Sequence, residues 1–180
     1  MKSTIIILIM GLMLSPAPTM AKEKVTKSHY FIGAGFGTSN IQEIADLGND
    51  GLTIKQGLAW KCMWGLDINE HFTLEQSYGQ QANVTASADD IMMTAKVKGL
   101  ITELVIKSPV ESIFTPYVKL GLAVLTEEIK SINYSYQENY FVYGVGASVD
   151  LGNYTLRLEH QTIEMDDPLE QTLISVTFNF

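Results

Sequence analysis

From Tyr30 onward, apolar side chains recur at every second position of the chain. A two-residue repeat puts alternate side chains on opposite faces of an extended backbone, so each such run predicts a β-strand. Eight runs stand out. The first sets Tyr30, Ile32, Ala34 and Phe36 against Gly33, Gly35 and Gly37. The second sets Leu58, Trp60, Cys62, Trp64, Leu66 and Ile68 against Ala59, Lys61, Met63, Gly65 and Asp67. The others cover residues 72–79, 99–107, 116–124, 141–151, 154–161 and 172–180. Turn-forming residues separate several of them: Asn69-Glu70-His71, Ser108-Pro109-Val110-Glu111 and Gly152-Asn153.

The apolar face contains no Asp, Glu, Lys or Arg in any of the eight runs. The opposite face holds Lys61, Asp67, Glu75, Glu103, Lys107, Lys119, Asp150, Arg157 and Glu159, and most of the glycines. A water-soluble barrel would turn the apolar face inward. Two Trp and several Phe and Tyr are too bulky for the inside of eight strands, whereas a glycine-rich face suits a narrow interior. Reversed, the apolar face meets lipid and the charges lie inside. Four basic and five acidic groups nearly balance there and can pair. The connections also alternate: short near 69–71, 108–113 and 152–153, longer and polar near 39–52, 80–95, 126–139 and 164–169. That is the asymmetry of barrels with short periplasmic turns and long extracellular loops. Tyr30, Phe72, Tyr154 and Phe180 then form a periplasmic aromatic belt, and Phe36, Trp60, Tyr78, Phe141 and Tyr143 an outer one. The pattern predicts an all-β fold, an eight-stranded antiparallel up-and-down transmembrane β-barrel.

Before the first strand, Lys2 precedes ten apolar residues, Ile5 to Leu14, and then Ser15-Pro16-Ala17-Pro18 and Thr19-Met20-Ala21. A basic start, a short apolar stretch and a small residue before charges describe a secretory signal peptide. The expected division is a leader over 1–21 and a barrel domain over 22–180. Ten apolar residues are too few for a spanning helix.

Composition narrows the functional classes. The 180 residues carry 12 Lys+Arg against 20 Asp+Glu, a formal charge of −8 that disfavours a nucleic-acid ligand. A single cysteine, Cys62, excludes an internal disulfide or a Cys-rich metal cage, and it lies on the lipid-facing parity as an inert apolar residue. His29, His71 and His160 are far apart, and no ligand spacing implies a metal or cofactor.

Three segments resemble the OmpA-type family of small outer-membrane barrels, which includes OmpX- and Ail-like proteins. They are Tyr30–Ser39 (YFIGAGFGTS), Gly57–Tyr78 (GLAWKCMWGLDINEHFTLEQSY) and Tyr143–Gln161 (YGVGASVDLGNYTLRLEHQ). Pro116–Leu122 (PYVKLGL) and the aromatic end Val176–Phe180 are similar as well. The resemblance implies a Gram-negative outer membrane, a monomer, and an internal ion-pair cluster. By matching position the cluster includes Glu75, Lys119 and Arg157, with Lys61, Glu103, Lys107 and Glu159 as further members. It also implies that Phe178 and the terminal Phe180 are read by the barrel-assembly machinery. The implied role is non-enzymatic, in envelope integrity or surface interaction, with a lumen filled by its own side chains; a narrow pore for small solutes is the alternative.

Other residues carry weaker chemistry. Lys96 and Lys98 fall on the lipid-facing parity at the outer rim, where they either meet lipopolysaccharide phosphates by charge attraction or stand solvated at a loop base. Glu43, Asp46, Asp50, Asp89, Asp90, Glu127, Glu128, Asp166 and Asp167 make the loops acidic without the spacing of a dedicated cation site. His160-Gln161-Thr162 with Glu164 offers two members of an acyl-transfer triad for a lipid A hydrolase, but not the third. Tyr134, Tyr136 and Tyr140 fit either a protein-binding loop tip or the upper ends of strands.

Overall fold

The computed structural model describes residues 29–41, 53–55, 57–88, 91–108, 114–129 and 134–180. The expected leader and the acidic residues Glu43, Asp46, Asp50, Asp89 and Asp90 lie outside them. Among the described residues nine strands form one sheet: β1 (His29–Ile41), β2 (Thr53–Lys55), β3 (Gly57–Asp67), β4 (Phe72–Ala88), β5 (Ile91–Lys107), β6 (Phe114–Ile129), β7 (Tyr134–Asp150), β8 (Tyr154–Glu164) and β9 (Leu169–Asn179). Every pairing is antiparallel, in the cyclic order β1-β3-β4-β5-β6-β7-β8-β9, with the three-residue β2 attached to β4. This is the closed eight-stranded barrel that the alternation predicts. Closure satisfies the backbone groups that an open edge would leave unpaired in hydrocarbon.

The seam joins the two ends of the described chain. Tyr30 N donates to Phe180 O at 3.2 Å, and Phe180 N donates to Tyr30 O at 2.9 Å. Short turns close the same end. Asn69 Oδ1 accepts from the His71 and Phe72 amides at 2.8 Å each, and Gly152 takes φ +84°, a left-handed conformation that glycine adopts without steric cost.

The exterior is greasy: Ile32, Phe36, Leu58, Trp60, Trp64, Tyr78, Leu122, Tyr154, Leu158 and Phe180 are all exposed. Lys61, Glu75, Glu103, Lys119, Arg157 and Glu159 are buried inside. In an aqueous fold that distribution would be inverted, because burying charge while exposing aromatics costs free energy twice.

The longer connections differ from expectation. Residues 80–88 and 91–95 do not form an irregular loop: β4 and β5 stay paired to Ala88↔Ile91. Likewise β6 and β7 stay paired to Ile129↔Tyr134, so the tyrosines at 134, 136 and 140 belong to the upper end of β7. Beyond the lipid there is no apolar solvent to face, so these extensions lack the alternation that marks a spanning strand. A register shift between Gln80 and Ala82 adds to the effect. Gln81 and Ala82 are both buried, which moves the inward parity of β4 by one residue.

Candidate functional site: the layered lumen

Six charged side chains meet at mid-height in the barrel. Lys119 Nζ lies 2.6 Å from Glu103 Oε2, 2.9 Å from Glu75 Oε1 and 3.3 Å from Glu159 Oε2. Arg157 Nη1 lies 2.5 Å from Glu75 Oε2, and Arg157 Nη2 lies 3.6 Å from Glu159 Oε2. Lys61 pairs closely with Glu159 and lies 3.8 Å from Glu75. Three cations therefore face three carboxylates, and the glycine-rich inner face is what leaves room for them. Gly79 on β4 and Gly121 on β6 stand directly beside Lys61 and Glu103 of the neighbouring strands.

Tyr117, only 2% exposed, joins this cluster. Its hydroxyl donates to Glu159 Oε2 at 3.3 Å and accepts from Arg157 Nε at 3.3 Å, and the guanidinium carbon sits 5.1 Å from the ring centroid. No motif marks it in the sequence; its inward parity, two residues before Lys119, is the signal that places it here. Lys107 stands apart from the six. Its ammonium pairs with Asp67 at 2.6 Å, nearer the short-turn end.

Above the charges lie two further layers. Gln161 Nε2 donates to Gln171 Oε1 at 2.8 Å, and Gln171 Nε2 donates to Gln81 Oε1 at 3.1 Å. Next come Ala82, Val97, Ile101, Ala123, Leu125, Val142, Ile163 and Leu169, a buried apolar cluster with Tyr140 and Met165 against it. Below the charges, a cavity of about 340 Å³ opens at the short-turn end, lined among others by Asp67, His71, Lys107, Tyr117 and Arg157. The lumen is thus charged at mid-height, amide-lined above that and apolar at the top.

On the exterior Lys98 pairs closely with Glu128, while on the inward parity Tyr140 donates to Glu127 Oε1 at 2.7 Å. Lys96, two residues before Lys98 on β5, is half-buried. His160 does not assemble with Thr162 and Glu164 as an acyl-transfer site would require; its Nδ1 bonds Thr172 on β9 instead. Among the described residues, no group of three His, Cys, Asp or Glu is placed to hold a metal ion. Phe178 and Phe180 stack at 6.3 Å, with Tyr30 6.4 Å from Phe180 and Tyr154 5.3 Å from Phe178.

An antiparallel closed barrel with an apolar band, aromatic belts and a charged interior defines an outer-membrane protein. The family model for the outer membrane protein beta-barrel domain matches residues 7–180, and the chain belongs to that family. No curated protein matches the sequence. Among solved structures it is similar to Ail, the attachment invasion locus protein of Yersinia pestis, crystallised with the heparin analogue sucrose octasulfate. That likeness has TM-score 0.57 and 13% identity over 86% of this chain and 99% of Ail. Neisserial surface protein A matches with TM-score 0.56 and 12% identity, over 85% of this chain and 97% of that one. The N-terminal barrel of Pseudomonas aeruginosa OprF matches with TM-score 0.53 and 14% identity, over 86% and 98%. At such identities the likeness concerns the fold alone.

Proposed function

We propose that the protein is a non-conducting, non-enzymatic, monomeric barrel that acts at the cell surface. The reading includes delivery through a cleaved leader over residues 1–21, and one chain suffices to close the barrel. The observation that carries it is a difference in strand length. β4 to β7 run 16 or 17 residues, against 11 to 13 for β1, β3, β8 and β9. The surplus of about five residues extends half of the sheet beyond the membrane by roughly 15 Å. β8 begins to pair with β7 only at Phe141, so Tyr134–Tyr140 is paired on one side only among the described residues. A one-sided strand offers main-chain hydrogen bonds to an added strand from another protein. Glu127, Glu128 and Glu138 favour a basic extended segment over a sulfated sugar of the kind bound to the Yersinia protein. The charge and apolar layers supply the reason for expecting no ion flow.

Two measurements test this. In a planar bilayer the purified protein is expected to stay silent; steady openings at neutral pH favour the narrow-pore alternative. Cells bearing Gln137→Lys and Asn139→Lys, charges that blunt an edge strand, are expected to lose adhesion to protein-coated surfaces. Unchanged adhesion removes the edge from the mechanism.

The terminal aromatics are proposed as the assembly signal. Phe180→Asp is expected to lower the amount of assembled barrel in cells several-fold while leaving refolding of the purified chain in detergent nearly intact. Equal assembly of the variant and the parent in cell membranes removes that role.

A further inference from the structure

Polar side chains interrupt the apolar exterior at Gln76, which bonds Trp64 and Thr102, and in a larger patch where β1, β8 and β9 meet. Thr38 and Asn40 of β1, His160 and Thr162 of β8, and Glu170 and Thr172 of β9 all have exterior parity. The registers set them in two adjoining rows, Thr38–Thr172–His160 and Asn40–Glu170–Thr162. The next row toward the periplasm is Phe36–Ile174–Leu158, all exposed. Leu58 and Val145 flank the first row on either side and are exposed too. The polar groups thus form an inlet in a greasy surface. A recess of about 120 Å³ opens among them.

The height of the patch matches the outer leaflet. His160 stands six residues above Tyr154, as Phe36 does above Tyr30, which places it about 15 Å above the periplasmic belt. That is level with Phe36 of the outer aromatic belt, where the apolar band gives way to outer-leaflet headgroups. An ionisable side chain at the edge of the hydrocarbon needs a polar partner, from the protein or from a lipid headgroup. His160 Nδ1 and Thr172 Oγ1 share a hydrogen bond of 3.0 Å. The side chains of Thr38 and Asn40, and His160 Nε2, make no bond among the described residues, and lipid tails offer them none.

We propose that this inlet binds the headgroup of an outer-leaflet glycolipid, with its acyl chains lying over Phe36, Ile174 and Leu158. The donor set selects the class. Hydroxyl, amide and imidazole groups both donate and accept, as do the hydroxyls and amides of a glucosamine sugar. A phosphate would call for Lys or Arg, and these six positions hold neither. Lys96 and Lys98 are on β5, which is not adjacent to β1, β8 or β9, so any phosphate contact there is a separate site.

The test uses dephosphorylated lipid A as probe, titrated into the detergent-solubilised protein and read by native mass spectrometry. The parent is expected to bind it at least tenfold more tightly than phosphatidylethanolamine. The triple variant Thr38→Val, His160→Leu, Thr172→Val is expected to lose at least tenfold. All three changes place apolar groups against lipid, so the variant should retain its heat-modifiable migration; if it does not, Asn40→Leu alone carries the same expectation. Equal binding by variant and parent, no preference over phosphatidylethanolamine, or binding only when the phosphates are present overturns the proposal.

Discussion

Glu75→Ala is expected to lower the stability of the folded barrel by about 3–5 kcal/mol, the cost of stranding a buried charge. Glu75 is fully buried and touches all three cations of the lumen: Arg157 at 2.5 Å, Lys119 at 2.9 Å and Lys61 at 3.8 Å. Its removal leaves three positive groups facing Glu103 and Glu159, with no route to water from the apolar layer above. Arg157→Ala creates the opposite imbalance and is expected to cost a similar amount. The double variant restores two cations against two carboxylates, so its loss should be smaller than the two single losses added together. Urea unfolding in detergent or lipid vesicles measures this, with Glu70→Ala, an exposed carboxylate on a turn, as the control within about 0.5 kcal/mol. Midpoints for both lumen variants that match the parent would show that the charges are not coupled in the folded protein.

The second large effect comes from a residue without a side chain. A Cβ at Gly79 would lie 2.0 Å from the carbonyl oxygen of Trp60 and 2.7 Å from Lys61 Cα, both backbone atoms of the neighbouring strand. Backbone held in a closed barrel cannot retreat as a flexible side chain can, so Gly79→Val is expected to cost about 3 kcal/mol. The variant would separate β3 from β4 at the point where Lys61 enters the charge cluster. Ser77→Ala, two residues away on the same inner face, removes a buried hydroxyl with no bond to lose and should change stability by less than about 1 kcal/mol. Refolding yield and urea midpoint distinguish the two; equal behaviour of Gly79→Val and Ser77→Ala would mean that the strands can part without penalty.

Strand existence was legible wherever one face met lipid. Tyr30 to Phe36, Leu58 to Ile68 and Tyr154 to Leu158 alternate because hydrocarbon accepts only one kind of side chain on its side of the wall. The upper parts of β4 to β7 carry no such signature. Their pairing comes from neighbouring backbone, and residues 80–95 consequently read as loop. The charge cluster was approachable by parity, but parity gives the face and not the height. Lys61, Glu75, Glu103, Lys119, Arg157 and Glu159 share one layer because strand tilt and stagger bring them there, while the same stagger carries Lys107 down to Asp67.

Sequence alone determined which half of each repeat faces lipid, because burial of charge and exposure of Trp, Phe and Tyr are energetically one-sided choices. Tertiary structure decided which inward residues meet. It joined Tyr117 to Arg157 and Glu159, stacked glutamines under an apolar layer, and bonded His160 to Thr172 instead of placing it against Thr162 and Glu164. Those contacts depend on cross-strand register, and register is fixed by closure of the whole sheet, a property no local run of residues contains.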